Sequence, residues 1–143
     1  MGTQQILLIV LSVIIVGAAI AVGIQMFNAQ SYSANKSAIA ADAQTFATQI
    51  IQYYKTPISQ GGLGGKLATE GTAIESSVFY TYLGWETTGT TNDNGTYTIA
   101  VADNKVTITG VGKEVKSSKK PEVVTEITFP AGTIEATLSD IDA

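Results

Sequence analysis

The chain opens with an apolar block that no charge interrupts. Residues 1–27 carry neither acid nor base, and thirteen of the nineteen positions in 6–24 are Ile, Leu or Val. A helix rising ~1.5 Å per residue needs about twenty such residues to cross a hydrocarbon core of ~30 Å. The helical pattern then continues past the block. No Pro occurs in 25–56 and no Gly lies between Gly23 and Gly61, while Ile39, Ala43, Phe46, Ile50 and Tyr53 or Tyr54 recur every three to four positions. That is the spacing of one helical face. Pro57 disfavours helical geometry in the residue before it. One helix is therefore expected over about residues 3–54, roughly 80 Å long, with an apolar half (1–27) and an amphipathic half (28–56).

From residue 57 the period changes, and 57–143 is expected to be a small antiparallel β domain. The segment PISQGGLGGKLATEGT (57–72) reads as a flexible connection folded over the helix. VFYTYLGW (78–85) is aromatic and fits either a strand or a short turn packed on the helix. In TYTIAVADNKVTITG, a two-residue turn at Asp103-Asn104 sets Val101 opposite Val106 and Ile99 opposite Ile108, with Ala100 opposite Thr107 and Thr98 opposite Thr109. A second hairpin, turning at Ala131-Gly132, sets Phe129 opposite Ile134 and Ile127 opposite Ala136. Four strands in a meander would carry an apolar face of Tyr97, Ile99, Val101, Val106, Ile108, Ile127 and Phe129. Phe46, Ile50 and Tyr53 of the helix are its expected cover. The fold class is thus α+β, a long N-terminal helix on a small antiparallel sheet.

Composition narrows the chemistry. The 143 residues hold eight Lys, no Arg and a net charge of −4, so no broad basic face or Arg fork is available for nucleic acid. With neither Cys nor His, disulfides, thiolate and imidazole metal sites, thiol nucleophiles and the usual general base are all excluded. Asp93, Asp103, Asp140 and Asp142 are the carboxylates best suited to acid–base work, yet each falls in a turn or tail pattern where Asp is common. No nucleophile–base set assembles, and neither an enzyme nor a cofactor or metal site is expected. The Gly65-Lys66 pair fails as a phosphate loop, because Gln60 stands at the first Gly position and Leu67 where Ser or Thr is needed. TNDNGT (91–96) lacks the ligand spacing and terminal Glu of a calcium loop and reads as a turn. GKEVKSSKKPE (112–122), with Lys113, Lys116, Lys119 and Lys120, reads as a solvated loop between strands. Asn35-Lys36-Ser37 and Asn94-Gly95-Thr96 fit the glycosylation acceptor pattern, Asn94 being the better placed.

The apolar block raises its own alternatives. A cleaved secretory signal is not expected, since residues 1–5 lack Lys and the apolar run exceeds the about 7–15 residues of a signal core. The uncharged start with Met1 and Thr3, the unbroken apolar run from Ile6, its continuation into an amphipathic half and the β-rich remainder resemble the type IV pilin-like family. The resemblance is specific over residues 1–55 and architectural beyond them. It implies a leader removed by a prepilin peptidase, methylation of Met1, a subunit held in the membrane before a pilus assembly machinery takes it up, and residues 6–24 as the assembly surface of a homopolymer. Ile14 lies at the middle of that surface. Two positions depart from the bacterial pattern: Gln5 stands in place of the usual Glu, its side-chain oxygen being still able to accept a hydrogen bond from a neighbour's terminal amine, and Val22 in place of Pro. A divergent bacterial and an archaeal branch both fit. Gly17 with Ala21, and Ala19 with Gly23, form small-xxx-small pairs that let helices approach closely. Met1 fits both a processed terminus and an initiator.

The expected function is that of a major subunit of an extracellular pilus-like filament serving adhesion, attachment or motility. The alternatives are a pseudopilin of a secretion system and a singly anchored binding domain that never polymerises.

Overall fold

A computed structural model of the chain describes residues 2–69 and 72–143. Helix α1 (Thr3–Lys55) is continuous. It stops where Pro57 forces Thr56 into extended geometry (φ −68°, ψ 132°), with the Thr56 N–H closing the last turn onto Gln52 O at 3.0 Å. The connection that follows is more ordered than a flexible linker. A single 3-10 turn (Ile58–Gln60) leads into chain that folds back over the helix end, where Gly65 N donates to Tyr54 O at 2.7 Å and Leu63 N to Tyr53 O at 3.2 Å. A minimal hairpin, β1 (Ala68–Thr69) with β2 (Thr72–Ala73), completes it.

The aromatic segment 78–85 is neither a strand nor a bare turn: residues 78–83 belong to a second helix, α2 (Ser76–Leu83). Gly84 ends it in the left-handed region at φ 70°, and Trp85 N reaches back to Tyr80 O at 2.8 Å. Helical spacing turns Phe79 and Tyr80 inward. Tyr80 Oη both donates to Ile99 O (2.9 Å) and accepts from Ile99 N (3.0 Å). One phenol thus satisfies a backbone pair on the strand edge, and this gain overrides the β propensity of the aromatic run.

The sheet is a five-stranded antiparallel meander in the order β3 (Thr90–Thr91), β4 (Gly95–Ala102), β5 (Lys105–Gly112), β6 (Lys119–Thr128), β7 (Thr133–Asp142). The β4–β5 register matches the expected one at each of the four pairs. The β6–β7 register does not: Ile127 faces Ile134 and Thr125 faces Ala136. Phe129 leaves the ladder, donates its N–H to Asn104 O at 2.8 Å and lays its ring 4.1 Å from that of Tyr54. Pro130 has no N–H to offer a ladder, so the connection spans four residues, 129–132. The slip is two residues, which leaves every side chain on its expected face. Strand β6 also begins earlier than expected, at Lys119, and Asp140 and Asp142 sit within β7 and not in a tail.

The helix covers the sheet through Ile39, Ala43, Ala47, Ile50 and Tyr54, all buried at a spacing of three to four. Two alanines in this stripe bring the helix close to the buried strand face of Tyr97, Ile99, Val106, Ile108, Val123 and Ile127. Phe46 and Tyr53, expected as part of this cover, pack on the core as half-buried flanks: Phe46 lies edge-on against Trp85 (4.7 Å) and Tyr97 (5.2 Å).

Candidate assembly surface

The two halves of α1 have opposite environments. Its first contacts with the sheet are made near Tyr32, and every described residue from 2 to 28 is exposed. Ile6 is 61% exposed, Ile14 62% and Phe27 72%. The most apolar eighteen-residue window of the helix has a mean hydropathy of 3.0 and none of it is buried, so the helix is long and apolar enough to cross a membrane. Ser12, the one hydroxyl within this run, returns its proton to Ile9 O at 2.8 Å. A methyl added at Gly17 or Gly23 would meet nothing within 4 Å. Ala19 and Ala21 are exposed as well. The pair of Gly17 with Ala21 and the pair of Ala19 with Gly23 therefore face open space, and no described residue of the subunit makes the close approach that small residues allow. Thr3 opens the helix, Gly2 gives it no side-chain cap, and Gln5 in the first turn is exposed with no acid beside it. Met1 lies outside the described residues.

Two polar clusters fix the amphipathic half to the sheet. At the end nearer the apolar run, Asp140 Oδ1 accepts from Tyr32 Oη at 2.7 Å and from Lys36 Nζ at 2.8 Å. The Lys36 bond, seconded by that of Tyr32, holds the Asp140 carboxyl below its ordinary range. Partial burial together with the bond to Asp140 raises the Tyr32 phenol to about 12.

Further along the helix, Asp42 Oδ2 accepts three hydrogen bonds, from Tyr97 Oη (2.7 Å), Asn94 Nδ2 (2.8 Å) and Asn92 Nδ2 (2.9 Å). Burial alone would push the Asp42 carboxyl up; the bonds from Asn94, Tyr97 and Asn92 together outweigh it and leave it lowered. Burial and the same carboxylate raise the Tyr97 phenol. Asn92 Oδ1 in turn accepts from the backbone N–H of Asn94 and Gly95, both at 2.9 Å, which shapes the turn. Asn35 Nδ2 donates to Asn94 O at 2.7 Å. The carboxamides of both glycosylation triplets are thus engaged inside the domain.

Asp42 carries more of this attachment than any residue singled out from sequence. Its signal was present: an acid beside the buried Ile39 and Ala43 positions of an amphipathic helix, with an Asn-rich turn and a Tyr to receive it. Asp93 and Asp103 lie in turns, away from Asp140 and Asp142, so the four carboxylates do not converge. Among the described residues no three Asp or Glu side chains are grouped to hold a metal ion.

No family model, no curated protein and no solved structure matches this chain. The shape itself, a long apolar N-terminal helix over an antiparallel sheet, is compatible with a pilin-like fold.

Proposed function

We propose that this chain is the structural subunit of an extracellular helical filament of the type IV pilus kind. The apolar half of α1 holds it in a membrane before assembly and packs against identical copies afterwards. One observation carries the reading: about 25 consecutive helical residues are exposed and overwhelmingly apolar, while the same helix, without a break, is well packed beyond residue 38. Water does not tolerate that surface, so lipid or other copies must cover it. The role is structural and not catalytic, and the filament serves attachment or motility at the cell surface.

The test is electron microscopy of material sheared from cells with and without the gene. Filaments that vanish with the gene are expected, as is their loss in Ile14→Lys, because a charge at the middle of the run cannot be buried among apolar neighbours without a partner. Normal filaments from Ile14→Lys would refute the assembly mechanism. A membrane-bound protein with no filament in either sample would leave an anchored domain or a low-abundance pseudopilin.

A further inference from the structure

The hairpin joining β5 and β6 descends alongside the last turns of the apolar run. Val115, Lys116 and Ser117 at its tip line an open cleft of about 540 Å³ against Val22, Met26 and Ala29 of α1. About twenty residues of helix fill a hydrocarbon core of ~30 Å, and the headgroup layer adds about 5–8 Å on each side. With Ile6 at one boundary, the other falls near Gln25 and the headgroups cover about residues 26–30. The tip therefore hangs at headgroup depth.

Its charge is out of keeping with the rest of the chain. Residues 113–120 hold four of the eight Lys and one acid, Glu114, whereas the remaining sequence sets four Lys against eleven Asp and Glu. Among the described residues, ion pairs occupy Lys36 and Lys105, and none of Lys113, Lys116, Lys119 and Lys120 is in one.

The geometry of the tip is unfavourable in two respects, which Asp142, opposite Lys119 on β7, offsets only in part. Lys116 and Lys119 are directly opposed across it, joined by backbone hydrogen bonds of 2.9 and 3.0 Å, and like charges so placed repel. The two turn residues between them, Ser117 (φ 52°) and Ser118 (φ 61°), occupy the left-handed region without being glycine. Beside them Val115 is 50% exposed. An apolar side chain flanked by unpaired Lys, at the depth of the headgroups, matches an anionic lipid surface in both charge and position.

We infer that the β5–β6 hairpin is a lipid-docking element: Lys113, Lys116 and Lys119 engage anionic headgroups while Val115 enters the interface, fixing the orientation of the sheet domain on the membrane before assembly. This rests on the membrane-held stage of the function proposed above. It does not depend on polymerisation.

The chain has no Cys, so Val115→Cys carries a single environment-sensitive fluorophore, and Ala131→Cys, at the opposite end of the sheet, serves as control. The full chain is placed in nanodiscs of phosphatidylcholine, with or without phosphatidylglycerol, at one subunit per disc. With phosphatidylglycerol, the label at 115 is expected to shift to the blue and be quenched by headgroup-linked nitroxides, while the label at 131 stays unchanged. Added salt should reverse the effect. Adding Lys116→Gln and Lys119→Gln should lower the docked-to-free ratio about 25-fold, at about fivefold per Lys. The fluorescence of Trp85 reports whether that variant is folded. Equal signals in neutral and anionic discs, or a signal indifferent to the Lys substitutions, overturn the inference. So does quenching that appears only with several subunits per disc, which assigns the tip to a second copy. A chain that never enters the discs removes the anchor, and the membrane-held stage with it; missing filaments alongside phosphatidylglycerol-dependent docking remove only the polymer.

Discussion

Replacing Asp42 with Ala tests how the helix is held to the sheet. The substitution deletes one acceptor oxygen that serves three donors at 2.7–2.9 Å. Hydrogen bonds to a charged group contribute about 1.5–3 kcal/mol each, but the loss is not three times that. Asn92 and Asn94 are only half-buried in a turn, where water replaces the carboxylate, whereas Tyr97 is fully buried and its hydroxyl proton loses its acceptor. A net cost of about 3 kcal/mol follows. For a packed domain of ~100 residues this lowers the unfolding midpoint by about 12–24 °C. Trp85, the sole tryptophan, lies 6.5 Å from Tyr97 and 4.7 Å from Phe46 ring to ring, so its fluorescence reports the packing in question without interference from the helix in detergent. A double-mutant cycle with Tyr97→Phe should give a coupling of about 1–2 kcal/mol. A cost for Asp42→Ala below about 0.5 kcal/mol, or strict additivity with Tyr97→Phe, would refute the reasoning. The pH dependence has a definite sign. Because the carboxyl is lowered in the fold, its contribution is complete above the unfolded value of about 3.9 and disappears as pH falls through the folded value. The stabilities of wild type and Asp42→Ala should converge in acid below about pH 4 and stay parallel at neutral pH.

Gly110→Ala should destabilise the sheet by about 1–3 kcal/mol, because a methyl there would meet the Tyr97 ring and Val123 Cγ1 at 2.9 Å; the ring is pinned by Asp42 and cannot swing away. Denaturant unfolding read at Trp85 measures it. Thr125→Val should be neutral or stabilise by up to about 1 kcal/mol, since the Thr125 hydroxyl is fully buried with no hydrogen-bond partner among the described residues and the isostere removes an unsatisfied group. Calorimetry on the two proteins decides it, and a clear loss would mean that the hydroxyl has a partner.

Much of this architecture is legible in the sequence because its periods are clean. The helix end follows from Pro57, and the β4–β5 register from a two-residue turn flanked by alternating residues, where a one-residue slip would invert the faces. The places where pattern reasoning falls short are those where a single polar group decides. Residues 78–85 have the composition of a strand and become α2 because the Tyr80 hydroxyl satisfies Ile99. Phe129 looks like a ladder residue and is drawn out by Tyr54 and Asn104. The Asp42 cluster joins residues 50 to 55 positions apart, a distance over which local spacing carries no information. The apolar half of α1 is the reverse case: its pattern is unmistakable, and the isolated fold adds only that none of the described residues covers it.

The meander also sets an order of events in time. Each of its hydrogen-bonded strand pairs joins neighbours along the chain, so every hairpin closes over a short loop at little entropic cost, and the sheet grows one strand at a time. The attachment of the helix at Asp140 is different. Tyr32 and Lys36 meet Asp140 across 108 and 104 residues, and Asp140 arrives only with β7, the last strand of the series. The apolar stripe of α1 and the Asp42 bonds meet strands that precede β7, and this latch alone waits for the final strand. The bonds of Tyr32 and Lys36 to Asp140 therefore require β7, whereas those of Asp42 to Asn92, Asn94 and Tyr97 do not.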